Sequence, residues 1–379
     1  MKKKVMIYPY NKDAYIVARF LENLNEQYEL AHVVSDMEKD EGHDCGEYYL
    51  YPTLGKMIEC DYTGCLVDVE EVLIVKHKRM NAEIVKERII EALEAEKRVT
   101  CYFELADETV TLLKEKWNSD QFVYCCESNQ EVKQLIDTYL VNSSNNYSLN
   151  SYEREAPVVF VGSIIEGTQE YDLMLMMTEY LRKQGYKVST ISDETYEELF
   201  QIHKYPVRKN VKEFDAASMK HQLETYVNAI DSIEKPDLMI VQLPGGFMKY
   251  DDKEIEENAI GNYIVTQAIR GDLMFVTSAY GEINNLFMDE LSNICKYRFE
   301  AKLYGVNISN LFSDASELPL SHSFKLIALG KDKMDEVFEK MEKENVRDVF
   351  NVYNTSSFEA IMEKMLDELS DNSEGYSIL

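Results

Sequence analysis

No run of about 18 consecutive apolar residues occurs in the chain, which removes a membrane-spanning helix from consideration. The opening Met1-Lys-Lys-Lys-Val-Met-Ile-Tyr-Pro-Tyr has its short apolar run broken by Pro9 and Asn11, so no signal peptide is expected either. Cysteine is sparse: seven residues, odd in number and without a C-x-x-C pair, exclude a disulfide framework and point to reduced cytoplasmic thiols. Cys60 and Cys65 are near neighbours, but no His or further Cys follows at a finger-like interval, and no metal is expected. If Cys125 and Cys126 lie on a strand they point to opposite faces, which favours a buried structural thiol for one of them. Cations are scarce as well. Forty Lys+Arg against 69 Asp+Glu leave a net charge of −29, a field that repels nucleic acid, anionic membranes and polyphosphates.

Chemical signatures are also missing. There is no G-x-S-x-G elbow and no H-E-x-x-H, and His32, His43, His77, His203, His221 and His322 are scattered without ligand spacing. After the first apolar run comes Pro-Tyr-Asn-Lys-Asp in place of G-x-G-x-x-G, so no NAD is expected. Glu41-Gly-His-Asp-Cys-Gly46 is the densest polar cluster of the first half and reads as a loop. His77 stands where α/β sheets place ligands, although Lys76, Lys78 and Arg79 also suit a basic surface cap.

What is present is a 379-residue chain, 45% hydrophobic and 29% charged, long enough for two domains at one per ~150 residues. Short apolar runs alternate with helical periodicity. Lys4–Tyr8, Tyr28–Val34, Glu71–Val75, Val99–Glu104 and Gln121–Tyr124 read as strands, and Asp13–Leu24, Ala82–Glu96 and Asp107–Lys116 as helices. Ile16, Val17, Phe20 and Leu21 are the apolar face of the first helix. The polar stretch from Val141 to Glu155 predicts a linker, separating a domain over residues 1–145 from one over residues 155–379. Beyond it the alternation restarts. Val158–Val161, Lys187–Ile191, Asp237–Leu243, Leu273–Thr277, Leu303–Ile308 and Lys325–Leu329 are expected strands, with Asp348–Val352 as an edge strand. Helices are expected at Glu170–Gln184, Ala217–Ile233, Asp332–Lys343 and Ser357–Leu369. The fold class is therefore α/β, two Rossmann-like domains with mainly parallel sheets.

Gly162-Ser-Ile-Ile-Glu-Gly167-Thr168-Gln169 follows a buried strand, opens a helix and has the G-x-x-x-x-G spacing of a phosphate-binding loop. Thr168 stands where the Lys belongs and Gln169 where the metal-binding Ser/Thr belongs. Losing a charge-assisted hydrogen bond of about 1.5–3 kcal/mol costs one to two orders of magnitude in affinity. Glu166, Glu170 and Asp172 place three carboxylates at the helix start, where they satisfy the dipole and repel a triphosphate. A second strand, Asp237–Leu243, runs into Pro244-Gly-Gly246 like a Walker B strand, with neutral Gln242 where the metal-binding Asp is usual. Asp251 and Asp252 beyond it read as a polar turn. Gly162 and Gly167 also suit a purely structural strand-to-helix turn. If the sheet is parallel, Ser163, Gly245, Gly246, Ser278 and Tyr280 share one rim with these residues, and this rim is the candidate ligand site.

Val161-Gly-Ser-Ile-Ile-Glu-Gly167 ahead of Tyr180–Ile191, with Pro236–Gly246 further on, resembles the signal-recognition and MinD-like branch of P-loop proteins, which makes the second domain a degenerate P-loop NTPase-like fold. From Ile7-Tyr-Pro-Tyr-Asn11 through Leu243-Pro-Gly-Gly-Phe-Met248 the chain also resembles accessory peptide maturation system proteins, encoded beside radical SAM maturases and Cys-rich precursor peptides. That resemblance implies a cytoplasmic helper in maturing a ribosomally synthesised peptide, with the precursor peptide or a radical SAM maturase as partner. Departures at Thr168, Gln169 and Gln242 argue against ATP-driven work and against a required cofactor, and leave room only for weak nucleotide binding. A nucleotide-dependent enzyme, ATPase or ligase-like, is the alternative. The 26 tyrosines fit a scaffold with aromatic anchors and an acidic rim, and homo-oligomerisation stays open.

Overall fold

The structure is a computed structural model describing residues 2–77, 80–126, 136, 154–192, 194–205, 216–247, 260–281, 283–314 and 325–373. The chain divides into two α/β units, Met1–Ser128 with Thr195–Gln201, and Asn129–Glu194 with Ile202–Leu379. Most of the expected 141–155 linker lies outside the described residues.

In the first unit, β1 (Lys3–Tyr8), β2 (Tyr28–Val34), β3 (Ile58–Glu59), β4 (Glu71–Ile74), β5 (Arg98–Cys101) and β6 (Phe122–Tyr124) form one sheet in the order β3-β2-β1-β4-β5-β6. Every pairing is parallel. Among the described residues four α-helices connect the strands: α1 (Tyr15–Leu24), α2 (Tyr62–Cys65), α3 (Ala82–Glu94) and α4 (Asp107–Lys116). Parallel strands covered on both faces must be apolar throughout, and Val5–Tyr8 and Val72–Ile74 are fully buried. On α1, Tyr15, Val17, Phe20, Leu21 and Leu24 are buried, whereas Ile16 is only half-buried. Asn11 starts the turn before α1 by accepting the Asp13 and Ala14 amides at 2.7 and 3.3 Å. Strand β6 ends at Tyr124, so Cys125 and Cys126 lie just beyond it and both are half-buried.

This strand order is that of dinucleotide-binding folds, with its topological switch between β1 and β4. The unit closes that crevice with its own groups. Asn11 Nδ2 donates to the Lys76 carbonyl at 3.1 Å, and the Lys76 amide donates to the Tyr196 hydroxyl at 3.0 Å. Tyr196 belongs to Thr195–Gln201, a segment drawn from the later half of the chain, and its ring stacks edge-on against Tyr102.

The second unit contains β7 (Val158–Ser163), α5 (Glu170–Lys183), β8 (Val188–Ser192), β9 (His203–Lys204), α6 (Ala216–Glu234), β10 (Leu238–Gly246), α7 (Ile260–Ala268), β11 (Leu273–Tyr280), α8 (Asn285–Arg298), β12 (Lys302–Asp314), β13 (Lys325–Ala328), α9 (Lys331–Lys343), β14 (Val349–Phe350) and α10 (Thr355–Ser373). The sheet order is β13-β12-β11-β7-β10-β8-β9, with β14 also paired to β12. Among the described residues only β13 runs antiparallel. Strand β7 is central. It pairs with β10 on one side and β11 on the other, so the loop after β7 lies between the ends of both.

Phe160, in the middle of β7, is fully buried in the core formed with Met239, Val241, Met274 and Val276. A Cβ at Gly271 would stand 2.2 Å from its ring, so the turn before β11 is moulded to that side chain. Removing the ring leaves a cavity that this close-packed centre cannot collapse. Phe160→Ala is expected to lower unfolding stability by about 3–5 kcal/mol in urea denaturation; a loss below about 1 kcal/mol would show that the ring is not a core element.

Candidate functional site

The loop between β7 and α5 has the strand-loop-helix layout of a phosphate-binding loop, and its backbone behaves accordingly. Gly167 is left-handed (φ +83°). A Cβ at Gly246 on β10 would meet the Ile164 carbonyl oxygen at 2.9 Å and the Glu166 nitrogen at 3.0 Å, so glycine is needed there for the two segments to approach. Gly246 pairs with Ser163, and the Ser163 hydroxyl donates to the Gly245 carbonyl at 3.4 Å. Gly162 packs against Met274 and Leu243.

The side chains that stand at the P-loop ligand positions of the sequence pattern are turned inward. Thr168 is fully buried; its hydroxyl donates to the Ile165 carbonyl at 2.8 Å and lies 3.0 Å from the Thr277 hydroxyl on β11. Gln169 forms a two-point amide pair with β12. Its Nε2 donates to Asn310 Oδ1, and its Oε1 accepts the Asn310 amide at 3.1 Å. Gln169 is itself left-handed (φ +71°), a conformation costing a non-glycine residue about 1–2 kcal/mol, and the pair with Asn310 offsets that strain. Together Thr168 and Gln169 bridge from the β7 loop to β11 and β12, across the crevice where such sheets place ligands.

The helix start is occupied as well. The Gly167 amide donates to Glu170 Oε1 at 2.7 Å, and the Tyr353 hydroxyl donates to Asp172 Oδ1. Burial pushes the Glu170 carboxyl up to about 8, against the partly compensating Gly167 bond, and Glu194 and Glu166 add to the shift. Most Glu170 is therefore uncharged at neutral pH. This corrects the expectation of three repelling carboxylates: Glu170 closes the loop by occupying its donor, and Glu166 beside it is exposed.

On the other flank Gln242 is 2% exposed and committed to its neighbours. Its Oε1 accepts the Ser192 hydroxyl at 2.6 Å, and its carbonyl accepts the Tyr205 hydroxyl at 2.7 Å. Ser278 is buried and donates to the Ala279 carbonyl at 3.0 Å; Tyr280 ends β11 half-buried. The structure thus brings Gly162, Ser163, Gly167, Thr168, Gln169, Gln242, Gly245, Gly246, Ser278 and Tyr280 to the carboxyl ends of three adjacent strands. It spends most of their polar atoms on internal bonds. Asp251 and Asp252 lie outside the described residues.

Thiol chemistry has little support. Burial pushes Cys45 up to about 11 and Cys65, Cys125 and Cys295 up to about 12, away from the reactive thiolate. The cluster Glu41–Gly46 is a loop organised by Asp44, whose carboxylate accepts the Gly46, Glu47, Leu54 and Gly55 amides at 2.7–3.1 Å. His43 stacks on Tyr48, and His77 is half-buried just past β4. One grouping escaped the sequence reading. His32, Glu59 and Cys65 are distant along the chain, but their donor atoms lie within 4.8 Å of one another. Only the pairing of β2 with β3 reveals it.

No family model and no curated protein matches the chain. Among solved structures it is similar to a DUF1611 family protein from Anabaena variabilis, over 96% of this chain and 100% of that one, at 10% identity and a TM-score of 0.61. An NADP-bound aspartate semialdehyde dehydrogenase from Candida albicans covers 38% of this chain and 48% of its own at 10% identity, and its TM-score of 0.27 carries no argument. The first likeness is one of fold alone. The chain is an α/β protein of two Rossmann-like units with mainly parallel sheets. Among the described residues no helix is long and apolar enough to cross a membrane.

Glu170 makes stability depend on pH with a defined sign. Its folded pKa, about 8, lies above the ordinary 4.5, so between those values the folded chain holds a proton that the unfolded chain releases. Stability falls as pH rises through that window and levels off above it. Glu170→Gln keeps the acceptor for Gly167 and removes the titration. The variant is expected to match the parent in urea denaturation at pH 4.5 and to exceed it above pH 8; parallel pH profiles would contradict a buried, proton-holding Glu170.

Proposed function

We propose that this chain is a non-hydrolysing accessory factor, a cytoplasmic binding scaffold in the maturation of a ribosomally synthesised peptide that engages the precursor peptide or its maturase. The observation carrying the non-hydrolysing part is the closure of the β7–α5 loop: the Gly167 amide is taken by Glu170, and Thr168 and Gln169 are buried in internal bonds. A triphosphate entering there would have to displace each of these bonds, with no loop Lys to repay the loss. The resemblance of the chain, from Ile7–Asn11 through Leu243–Met248, to accessory peptide maturation proteins supports the pathway.

Surface chemistry supports binding as the activity. On α8, Leu286, Ile294 and Tyr297 are 69%, 37% and 75% exposed and share one face by helical spacing with the exposed Glu290 and Asn293, so apolar anchors alternate with polar groups there on a protein of net charge −29. A partner with apolar anchors and basic flanks would complement it.

Calorimetry with ATP and with GTP, each with Mg²⁺, is expected to give no binding heat; a micromolar dissociation constant would overturn the non-hydrolysing reading. Tagged protein is expected to co-purify with a Cys-rich precursor peptide or with a radical SAM maturase, and the yield should fall as salt screens the acidic surface. Absence of both partners at low salt would count against the scaffold.

A further inference from the structure

We infer that His32, Glu59 and Cys65 form a site for a zinc-class divalent cation in the first unit. Three elements supply the donors: β2 carries His32, β3 ends at Glu59, and α2 ends at Cys65. The local fold explains the convergence. Val34 pairs with Glu59 in the parallel register, and His32, two residues before Val34, shares its face of the sheet. The chain then turns directly from Glu59 into α2, whose first turn is capped by Asp61 accepting the Gly64 amide at 2.9 Å. That turn returns Cys65 over the same face, where its thiol donates to Glu59 Oε2 at 3.3 Å.

The ring of His32 is held from behind. Its Nε2 lies 2.7 Å from Asp68 Oδ1, and its Nδ1 lies 2.6 Å from Glu59 Oε1. A carboxylate on the remote ring nitrogen is the arrangement that fixes a metal-ligating histidine in one tautomer and raises its basicity. Asp68 is thus a positioning residue, and Nδ1 is the donor turned toward Glu59 and Cys65. One imidazole nitrogen, one carboxylate and one thiolate suit zinc, whereas Mg²⁺ and Ca²⁺ prefer oxygen alone. Bonds of about 2.0–2.3 Å in a tetrahedron set donors roughly 3.3–3.8 Å apart. The Cys65 sulfur, 3.3 Å from Glu59 Oε2, already meets this, and the 2.6 Å contact of His32 with Glu59 Oε1 has to open by about 0.7 Å. The Cys65 thiol proton, and any proton on Nδ1, pass to solvent as the metal–ligand bonds form, so loading releases acid.

Burial differs across the site in a useful way. Cys65 is 4% exposed, which shields the sulfur, whereas the side chains of His32 and Glu59 are 19% and 41% exposed. Three protein donors with solvent on one side leave a fourth position for water or a ligand atom. Cys60 is not a donor: its thiol donates to the Met37 carbonyl at 3.4 Å. The site stands on residues of the first unit alone and is independent of the loop reading in the second.

The test uses the full chain, stripped with chelator and titrated with Zn²⁺ and separately with Co²⁺. One equivalent of Zn²⁺ is expected to bind, and Co²⁺ is expected to give a thiolate-to-metal charge-transfer band with the strong visible absorption of a tetrahedral ion. Cys65→Ser should abolish the band, and His32→Gln should lower affinity. Cys60→Ser should change neither. Asp68 is mostly exposed, so Asp68→Asn is expected to leave the metal-free melting temperature unchanged while weakening Zn²⁺ binding about 10–100-fold. No uptake, uptake unaltered by Cys65→Ser and His32→Gln, or loss of uptake in Cys60→Ser would each overturn the assignment; the His32 ring would then be an ion-pair bridge between Glu59 and Asp68.

Discussion

A single carboxyl group at the start of α5 takes up the backbone donor that the preceding loop offers. A helix of this length presents unsatisfied amides and a partial positive charge at its first turn, and a glycine-bearing loop ahead of it gathers further amides to the same place. In this chain Glu170 reaches back 2.7 Å to the Gly167 amide. The internal ligand is tethered beside the amide at high effective concentration, so a free anion has to displace it. Because Glu170 is buried deeply enough to stay largely protonated, occupancy of the donor, more than repulsion, keeps the site shut.

The remaining bonds around the loop reinforce this closure. Thr168 to Thr277 and Gln169 to Asn310 tie the loop to two successive strands, and Ser192 to Gln242 ties the opposite flank. Buried amides and hydroxyls satisfied in this way rigidify a surface that in a nucleotide-binding fold must rearrange around ligand and metal. The first unit follows the same logic without shared sequence. Its strand order is that of dinucleotide-binding sheets, but Asn11 and Tyr196 occupy the crevice between β1 and β4. In each unit the loops at the carboxyl ends of the central strands are tied by internal hydrogen bonds.

Much of this was legible in the sequence. Buried parallel strands are continuous apolar runs, so β1, β2, β4, β7, β10 and β11 stand out unaided, as do α5 and α6. Helices α7 and α8 did not. Asn262-Tyr-Ile-Val-Thr266 is rich in β-branched residues that blur the helical period, and α8 exposes Leu286, Ile294 and Tyr297 on its outer face. The β7–α5 loop could be placed because its residues are contiguous. The partners that close it could not: Asn310 is 141 positions from Gln169, and Tyr353 is 181 from Asp172. The cysteine spacing drew attention to Cys60 and Cys65, whereas the sheet register joins Cys65 to His32 and Glu59.

The account's central claim is that the Gly167 amide already has its acceptor, the Glu170 carboxyl oxygen. Amide-resolved NMR of the full chain reads this directly, through the exchange protection and chemical shift of the Gly167 N–H during titration with ATP·Mg²⁺ and with inorganic phosphate. A protected amide whose resonance does not move at any concentration is the predicted result. A resonance that exchanges rapidly with solvent, and shifts along a saturating curve as either anion is added, would contradict it.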